Sequence, residues 1–458
     1  MSVITHPSED ADTLSGTPSP GPSTDTRARR NFRSFMVIWA AQLVARVGNG
    51  LTAFGLGVYV YQQSGLSTAV SLVTLAAFLP SLLLSPFGGV LADRYDRRLL
   101  MIFGDTFSAF GLLAMIIAFH TNFASIPIIC GCVALSSVFS SVMDPAYRAT
   151  VTDLLTSEQY ARAGGLVQLA SASQYLISPA IAGLLMASSG ITTVLTIDIA
   201  TMVLTVVCML LVWRTVKTPP RQTTTGFWAD FRQGISFLRQ QSGITVLMAL
   251  ITVVTFCMGF LQTLLTPMLL DLTDESTLGA IRSIAAVGMI VASLIIGVFN
   301  MKGSHLTYIT CFLAAGGVLI FFLGTTTSIV AIGVLAFAFF MTLPPLNTSI
   351  EVITRSSIPN ETQGKVWGLM GLISQLGYVV AYAVSGVLAD SVFNPLLREG
   401  GALADSLGAL IGVGTSRGIG FMLMIVGVLL IGMAVAIPRA RSIRSLQNNL
   451  SLTKKKGV

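Results

Sequence analysis

The sequence predicts an all-α membrane protein of twelve transmembrane helices, arranged as two pseudo-symmetric six-helix bundles. Three observations carry that prediction. Only 10% of the 458 residues are charged, 53% are hydrophobic, and the mean hydropathy is +0.79. Globular domains carry about 25% charged residues, so too few remain to cover a water-facing surface. The charges are also segregated. No Asp, Glu, Lys, Arg or His falls in the 46 residues from Val47 to Ala92, or in the 45 from Leu306 to Ile350. Each gap can hold two spans of about 20 residues, and each is interrupted near its middle by turn-forming residues, "YQQSGLST" and "LGTTTSI". The third observation is an internal repeat.

In chain order, residues 1–33 are rich in Ser, Thr, Pro and Asp and lack apolar periodicity, which predicts a disordered tail. No short apolar segment with a cleavage site precedes the first span, so no signal peptide is expected. The first bundle, 34–213, should hold spans at 35–61, 68–92, 99–119, 124–144, 162–187 and 191–213. Spans 1 and 2 share the first charge-free gap. Spans 2 and 3 are divided by "DRYDRR", five charges in six residues, which needs water where two spans meet. Residues 214–243 form the linker between the bundles. Within it Phe227, Trp228, Phe231, Ile235 and Leu238 make one helical stripe opposite Asp230, Arg232, Gln233 and Arg239, the pattern of a helix lying in a membrane interface. The second bundle, 244–437, should hold spans at 244–270, 278–300, 305–324, 328–350, 365–390 and 416–437, with an external loop at 391–415 and a basic tail at 438–458. In span 10, Pro344 and Pro345 are expected to break the helix.

The repeat appears on shifting the chain by 203 residues. "SEQYARAGGL" then falls on "NETQGKVWGL", with Glu158 on Glu361, Arg162 on Lys365, Gly165 on Gly368 and Leu166 on Leu369; further along, "IAGLL" falls on "VSGVL". Both segments open the fifth span of their half. Duplicated six-helix units build transporters, and an enzyme or receptor has no need of them.

The net charge of +7 does not point to nucleic acid, because its distribution has a membrane explanation. With both termini cytoplasmic, 23 of the 27 Lys and Arg lie on that side, which fixes the orientation in a cell (inner) membrane. Arg282, Arg398 and Arg417 are left outside, and Arg46 lies within span 1. The five cysteines all fall inside spans, where they fill apolar space. No metal set, cofactor loop or nucleophile–base pair is present. "GTSRGIG" at 414–420 has the look of a nucleotide loop, but it opens a spanning helix and lacks the preceding strand.

"GGVLADRYDRR" resembles the signature loop between spans 2 and 3 of the major facilitator superfamily, Gly-x-x-x-Asp-Arg-x-Gly-Arg-Arg. Gly89, Asp93, Arg94, Arg97 and Arg98 match, and Asp96 replaces the usual Gly. Within that superfamily, "WAAQLVARVGNGLTAFGLGVYVYQQSGLS", "MDPAYRATVTDLLTSEQYARAGGL" and "FWADFRQGISFL" resemble the macrolide-efflux and enterobactin-exporter branch. The resemblance implies that the loop latches the two halves on the cytoplasmic side. Asp93 would then face the N-terminus of span 11, where unpaired N–H groups favour an anion, and Arg97 would pair with Asp144. The second-half counterpart, "GVFNMKGSHL", has Met301 in place of the acid, so the latch is one-sided. "SPAIAG" in span 5 is similar to the Gly-Pro-rich antiporter motif, with Ser178 for the first Gly, and its Pro179 favours a bend that the resembled exporters share. The Arg usual in span 4 of proton-coupled members is missing, since no Arg lies between Phe123 and Pro145.

The polar faces mark a substrate path. Gln42, Arg46 and Asn49 make one stripe on span 1, and span 4 offers Ser141. Span 7 offers Thr255, Gln262 and Thr266, span 10 Asn347, and span 11 Tyr378 and Tyr382. In the resembled fold, spans 1, 4, 7 and 10 line the cavity. Charges inside the bilayer are expensive unless paired. Three stand out, Arg46, Asp105 and Asp198, with Arg46 expected either to pair with one of the two acids or to take part in transport. Asp198 is the first choice for a transported proton, because it can approach the depth of Arg46. The expected function is export of amphipathic small molecules, antibiotic-like, macrolide-like or siderophore-like, by alternating access and proton antiport, as a monomer without cofactors. An importer of a siderophore or nutrient, and a scaffold or sensor that does not transport, remain as alternatives.

Overall fold

A helix that is apolar all round has no watery face and must pack against other helices or lipid. The computed structural model describes residues 22–156, 159–213, 232, 235–236, 241–299, 303–358 and 360–440. Among these residues every regular element is a helix. Eleven stretches are long and apolar enough to cross a membrane. One of them, Arg162–Val212, is 51 residues long and turns at Gly190, whose φ of 75° suits a residue without Cβ, so twelve spans result. The interfacial stripe at 227–239, Met301 and the basic tail beyond Ala440 fall largely or wholly outside the described residues.

The spans are Pro22–Ser64, Ser67–Arg94 and Arg97–His120, then Ile126–Ser140 continued by Met143–Leu154. Span 5 is Tyr160–Leu176 continued by 178–189, and span 6 is 191–212. The second half follows with Ser242–Leu270, Glu275–Val298, His305–Thr325, Ile329–Ser357, Asn360–Leu388 and Thr415–Ala436. The first helix starts at Pro22, inside the segment read from sequence as a disordered tail.

Two further breaks occur: the one in span 4 was not foreseen, and the one in span 5 is at the bend that Pro179 favours. Span 4 bends at Ser141 and Val142, because Pro145 lacks the N–H that would bond the Ser141 carbonyl. That carbonyl instead lies against Gly88 of span 2, where an added Cβ would sit 2.8 Å from the oxygen. Span 5 breaks at Ile177, two residues before Pro179, and the Ser178 hydroxyl donates to the Val47 carbonyl of span 1 at 2.9 Å. Span 10 does the reverse. Pro344 and Pro345 lie inside one continuous helix, so the expected break is absent. The two prolines remove the N–H groups that would bond the Phe340 and Met341 carbonyls, a loss that membrane helices tolerate when packed among their neighbours.

Within each half, span 1 packs along 5 and 6, and span 7 along 11; between the halves the main contacts are span 2 with 11 and span 8 with 5. The two inter-half contacts are equivalent under the repeat. Gly183 and Gly386, which coincide at the 203-residue shift, occupy them. An added Cβ on Gly183 would lie 2.5 Å from the Glu275 carbonyl of span 8, and one on Gly386 would lie 2.6 Å from the Ser67 carbonyl of span 2.

Candidate functional site

With twelve spans, Pro22 and Arg439 lie at one end of the bundle, the terminal end. Among the described residues the hydrogen bonds joining the halves gather at or toward the opposite end. Asp390, just after span 11, accepts from the Ser67 and Thr68 backbone N–H groups at 3.1 and 2.7 Å, and from the Thr68 hydroxyl at 2.7 Å. An acid from one half thus caps the N-terminus of span 2 in the other, where the helix dipole favours it. The Tyr61 hydroxyl donates to Asp271 at 2.6 Å, Gln62 bonds Glu275, and the Ala180 N–H donates to the Ser283 hydroxyl at 3.1 Å. Asp274 caps span 8 from within its own half, and its bonds from Thr277 hold its carboxyl below the usual carboxylate range.

Between the halves lies a cavity of about 210 Å³. Its walls include Phe54, Val70, Leu261, Leu265 and Phe340, with Gln174, Tyr175, Gln262, Thr266 and Arg282 as polar groups. Spans 1, 2, 5, 7, 8 and 10 contribute lining residues; span 4, expected to line it, contributes none. Arg282 is the residue that sequence reasoning misplaced. Counting it as an outside charge ignored its position seven residues after Glu275, two helical turns into span 8. Its Nη2 donates to the Gln262 carbonyl at 2.9 Å and to the Thr266 hydroxyl at 2.8 Å, and the guanidinium stands 5.7 Å from the Phe54 ring centre.

Of the other residues marked in the sequence, Gln262 lines the cavity and accepts from the Tyr382 hydroxyl at 2.6 Å. Tyr378 and Tyr382 lie beside it, their rings tilted with centres 5.7 Å apart, and meet Phe78 of span 2 edge-on. Thr255 instead donates to the Ser374 carbonyl of span 11 at 2.6 Å, packing the two helices, and Ser141 to the Val138 carbonyl of its own span at 2.6 Å. Asn49 and Asn347 are exposed and do not line the cavity. Gln42 turns away from the cavity toward spans 3 and 6.

The intramembrane charges pair differently from the expectation. Arg46 reaches neither Asp105 nor Asp198; its Nη2 meets Asp144 at 2.6 Å, at the bend of span 4. Asp198 is fully enclosed and accepts from the Thr52 hydroxyl at 2.5 Å and the Thr201 hydroxyl at 3.4 Å. Asp105 accepts from Thr205 and borders, with Gln42, a small void of about 10 Å³.

The "DRYDRR" loop is organised within the first half. Arg97 is bonded by Nε to the Ala92 carbonyl and by Nη1 to the Ala149 carbonyl, both at 3.0 Å, and pairs with Asp153. Its expected partner Asp144 is taken by Arg46. Asp96, the departure from the signature, caps span 3 by accepting from the Arg98 N–H at 3.0 Å. Arg98 also bonds the Trp213 carbonyl at 2.6 Å and lies 4.4 Å from the centre of that ring, tying the loop to the end of span 6. Arg94 is exposed, and the Asp93 side chain lies outside what is described, as do those of 360–365 that it was expected to face. The signature glycine, Gly89, has open space around it; the tight position is Gly88.

Comparison with known proteins is consistent with this architecture. A family model described as Major Facilitator Superfamily matches residues 38–382. Macrolide efflux protein A of Streptococcus pyogenes is 25% identical over 367 residues, covering 78% of this chain and 90% of that one. The multidrug efflux pump Tap of Mycolicibacterium fortuitum is 22% identical over 380 residues, 78% of this chain and 89% of that one. Among solved structures, an inward-facing, unoccupied bacterial homolog of the human lysosomal transporter Spinster superposes with a TM-score of 0.70 over 91% of this chain and 98% of that one. At 13% identity that likeness speaks for the fold alone.

Proposed function

The chain belongs to the major facilitator superfamily of membrane carriers, and from that premise we propose that it exports amphipathic small molecules by alternating access, driven by proton antiport. The observation that carries the reading is the cavity between the halves, largely apolar with a few convergent polar groups. Such walls suit a bulky apolar solute, whereas a sugar would need denser hydrogen bonding. The inter-half bonds close the cavity at the end opposite the termini. With both termini cytoplasmic, as the Lys and Arg distribution favours, this is the state that loads from inside. The measurement is accumulation of labelled amphipathic compounds in cells with and without the protein, repeated in inverted vesicles. Lower accumulation with the protein supports export; raised uptake, or no change across the panel, rejects it.

For the proton, the geometry shifts the preference from Asp198 to Asp105. The reason for favouring Asp198 was the nearness of Arg46, and Arg46 is engaged elsewhere. A coupling carboxylate must also meet water. Asp198 is sealed, whereas Asp105 borders a void on the scale of one water molecule. Asp105→Asn is expected to insert normally and to export without dependence on the pH gradient, or not at all. Export by Asp105→Asn that still collapses when an ionophore dissipates the gradient would move the proton site elsewhere, with Asp198 next.

A further inference from the structure

The cavity carries more chemistry than an amphipathic solute requires, and the surplus lies in Arg282. Other arginines of the bundle are matched. Arg46 has Asp144, Arg97 has Asp153, and Arg417, which has no acid, is spent on the carbonyls of Ile411 at 3.0 Å and of Thr325 and Thr326 at 3.4 Å. Arg282 is the one charged side chain among the described residues lining the cavity, and both of its partners are neutral. Both bonds also use the same nitrogen, Nη2. Among the described residues Nε and Nη1 have no hydrogen-bond partner, and the side chain is only half-buried. An unmatched cation at this depth is expensive and is kept where it has a task.

The guanidinium presents a planar fork of donors that fits the two oxygens of a carboxylate or related oxyanion. Its neighbours hold it in place rather than neutralise it: the Gln262 carbonyl and Thr266 hydroxyl fix Nη2, and the Phe54 ring flanks the group. Apolar walls adjoin it at Leu261, Leu265 and Phe340. We infer that this cavity selects amphipathic anions, seating one oxyanion on Arg282 with an apolar body against the surrounding walls. A solute bearing a fixed cation would meet like charge in a low-dielectric site and be turned away. The cavity volume, about 210 Å³, is below the roughly 300–1,000 Å³ of drug-sized pockets. It therefore takes the charged head and the first part of the body, with the remainder extending toward the open end.

This inference rests on the transport reading only for the place of the site, so binding tests it without flux. The probes are three fluorescent molecules of one shape: pyrenebutyrate, its methyl ester, and the matching pyrenebutyl trimethylammonium. The purified full chain is placed in phosphatidylcholine nanodiscs. Pyrenebutyrate is expected to bind at least about tenfold tighter than the other two, a difference of about 1.4 kcal/mol. Arg282→Gln should erase that preference, and Arg282→Lys, which keeps the charge and guards against a folding defect, should retain part of it. Equal binding of the three probes, tightest binding of the ammonium, or a preference that survives Arg282→Gln would overturn the proposal. Phosphatidylglycerol added to the nanodiscs separates the two sources of an oxyanion. Displacement of pyrenebutyrate would assign the site to lipid and overturn a soluble substrate; unchanged binding supports the solute. Vesicle flux of the same probes keeps the two readings apart. Outward transport of the ammonium with no charge preference in binding would sink the anion and leave export standing. Preferential anion binding with no flux would do the opposite.

Discussion

Gly279→Ala is expected to stop transport and to leave the end opposite the termini open. Gly279 of span 8 and Gly183 of span 5 meet backbone to backbone across the two halves. An added Cβ at Gly279 would lie 2.2 Å from the Pro179 carbonyl oxygen and 3.2 Å from the Gly183 Cα. Real Cβ atoms do not come so close to backbone, and no flexible side chain is there to yield. The halves must therefore part at this point, which penalises the closed contact and not the fold of either half. Overpacking of about 1–3 kcal/mol would shift the equilibrium between the two states by about 5- to 150-fold. The remaining contacts at that end, Asp390 on the span 2 N-terminus and Tyr61 with Asp271, would be strained as well, since they close the same end. The readout is alkylation of Gly57→Cys, a cavity position with space around it, in a background without other cysteines. Impermeant reagent applied from the side opposite the termini should label it faster in Gly279→Ala than in its parent. Wild-type flux with unchanged labelling would show that the cycle does not depend on this contact.

The sequence and the structure agree most where hydropathy alone decides. The twelve spans, their order and the two-half repeat follow from the need to satisfy every backbone group in lipid, and "IAGLL" over "VSGVL" placed Gly183 and Gly386 in equivalent positions before any contact was known. Bends were less legible. Pro145 breaks span 4 unforeseen and Pro179 bends span 5 as expected, while Pro344 and Pro345 leave span 10 continuous, because a proline removes one backbone bond and the surrounding packing decides whether the helix gives. Side-chain pairing was least legible. The i, i+4, i+7 stripe on span 1 put Gln42, Arg46 and Asn49 on one face, yet Gln42 turns to Asp105, Arg46 reaches Asp144, and Asn49 is exposed. Helical spacing fixes a direction from the axis; it does not say how far a long Arg extends or which span stands opposite. Arg282 was lost for a related reason, because a charge near the start of a span reads as a loop charge unless the cap is located, here at Asp274.

The second large effect is an asymmetry between the two members of the Arg46–Asp144 pair. They meet at 2.6 Å, but their surroundings differ: the Arg46 side chain is 15% accessible and that of Asp144 59%. Arg46 Nε is buried with no partner of its own, so among the described residues Asp144 is its one ion-pair partner. Removing the acid strands a cation in span 1, whereas removing the arginine leaves a carboxylate that water already reaches. Asp144→Asn is therefore the more damaging change. A central arginine costs about 2.5–3.5 kcal/mol on insertion scales, and the exposure of its partner reduces what the pair itself contributes. A net loss of about 1–1.4 kcal/mol corresponds to a roughly five- to tenfold fall in folded protein. Arg46→Gln should keep more protein in the membrane, and Arg46→Gln with Asp144→Asn should recover the level lost in Asp144→Asn alone. Combining Arg46→Gln with Asp105→Asn or Asp198→Asn should gain nothing over Arg46→Gln alone, because neither acid is within reach of Arg46. Membrane abundance by immunoblot and thermal unfolding of the purified variants decide the matter. Equal levels for Asp144→Asn and Arg46→Gln would remove the asymmetry, and a gain from Asp198→Asn in the Arg46→Gln background would restore the pairing first read from the sequence.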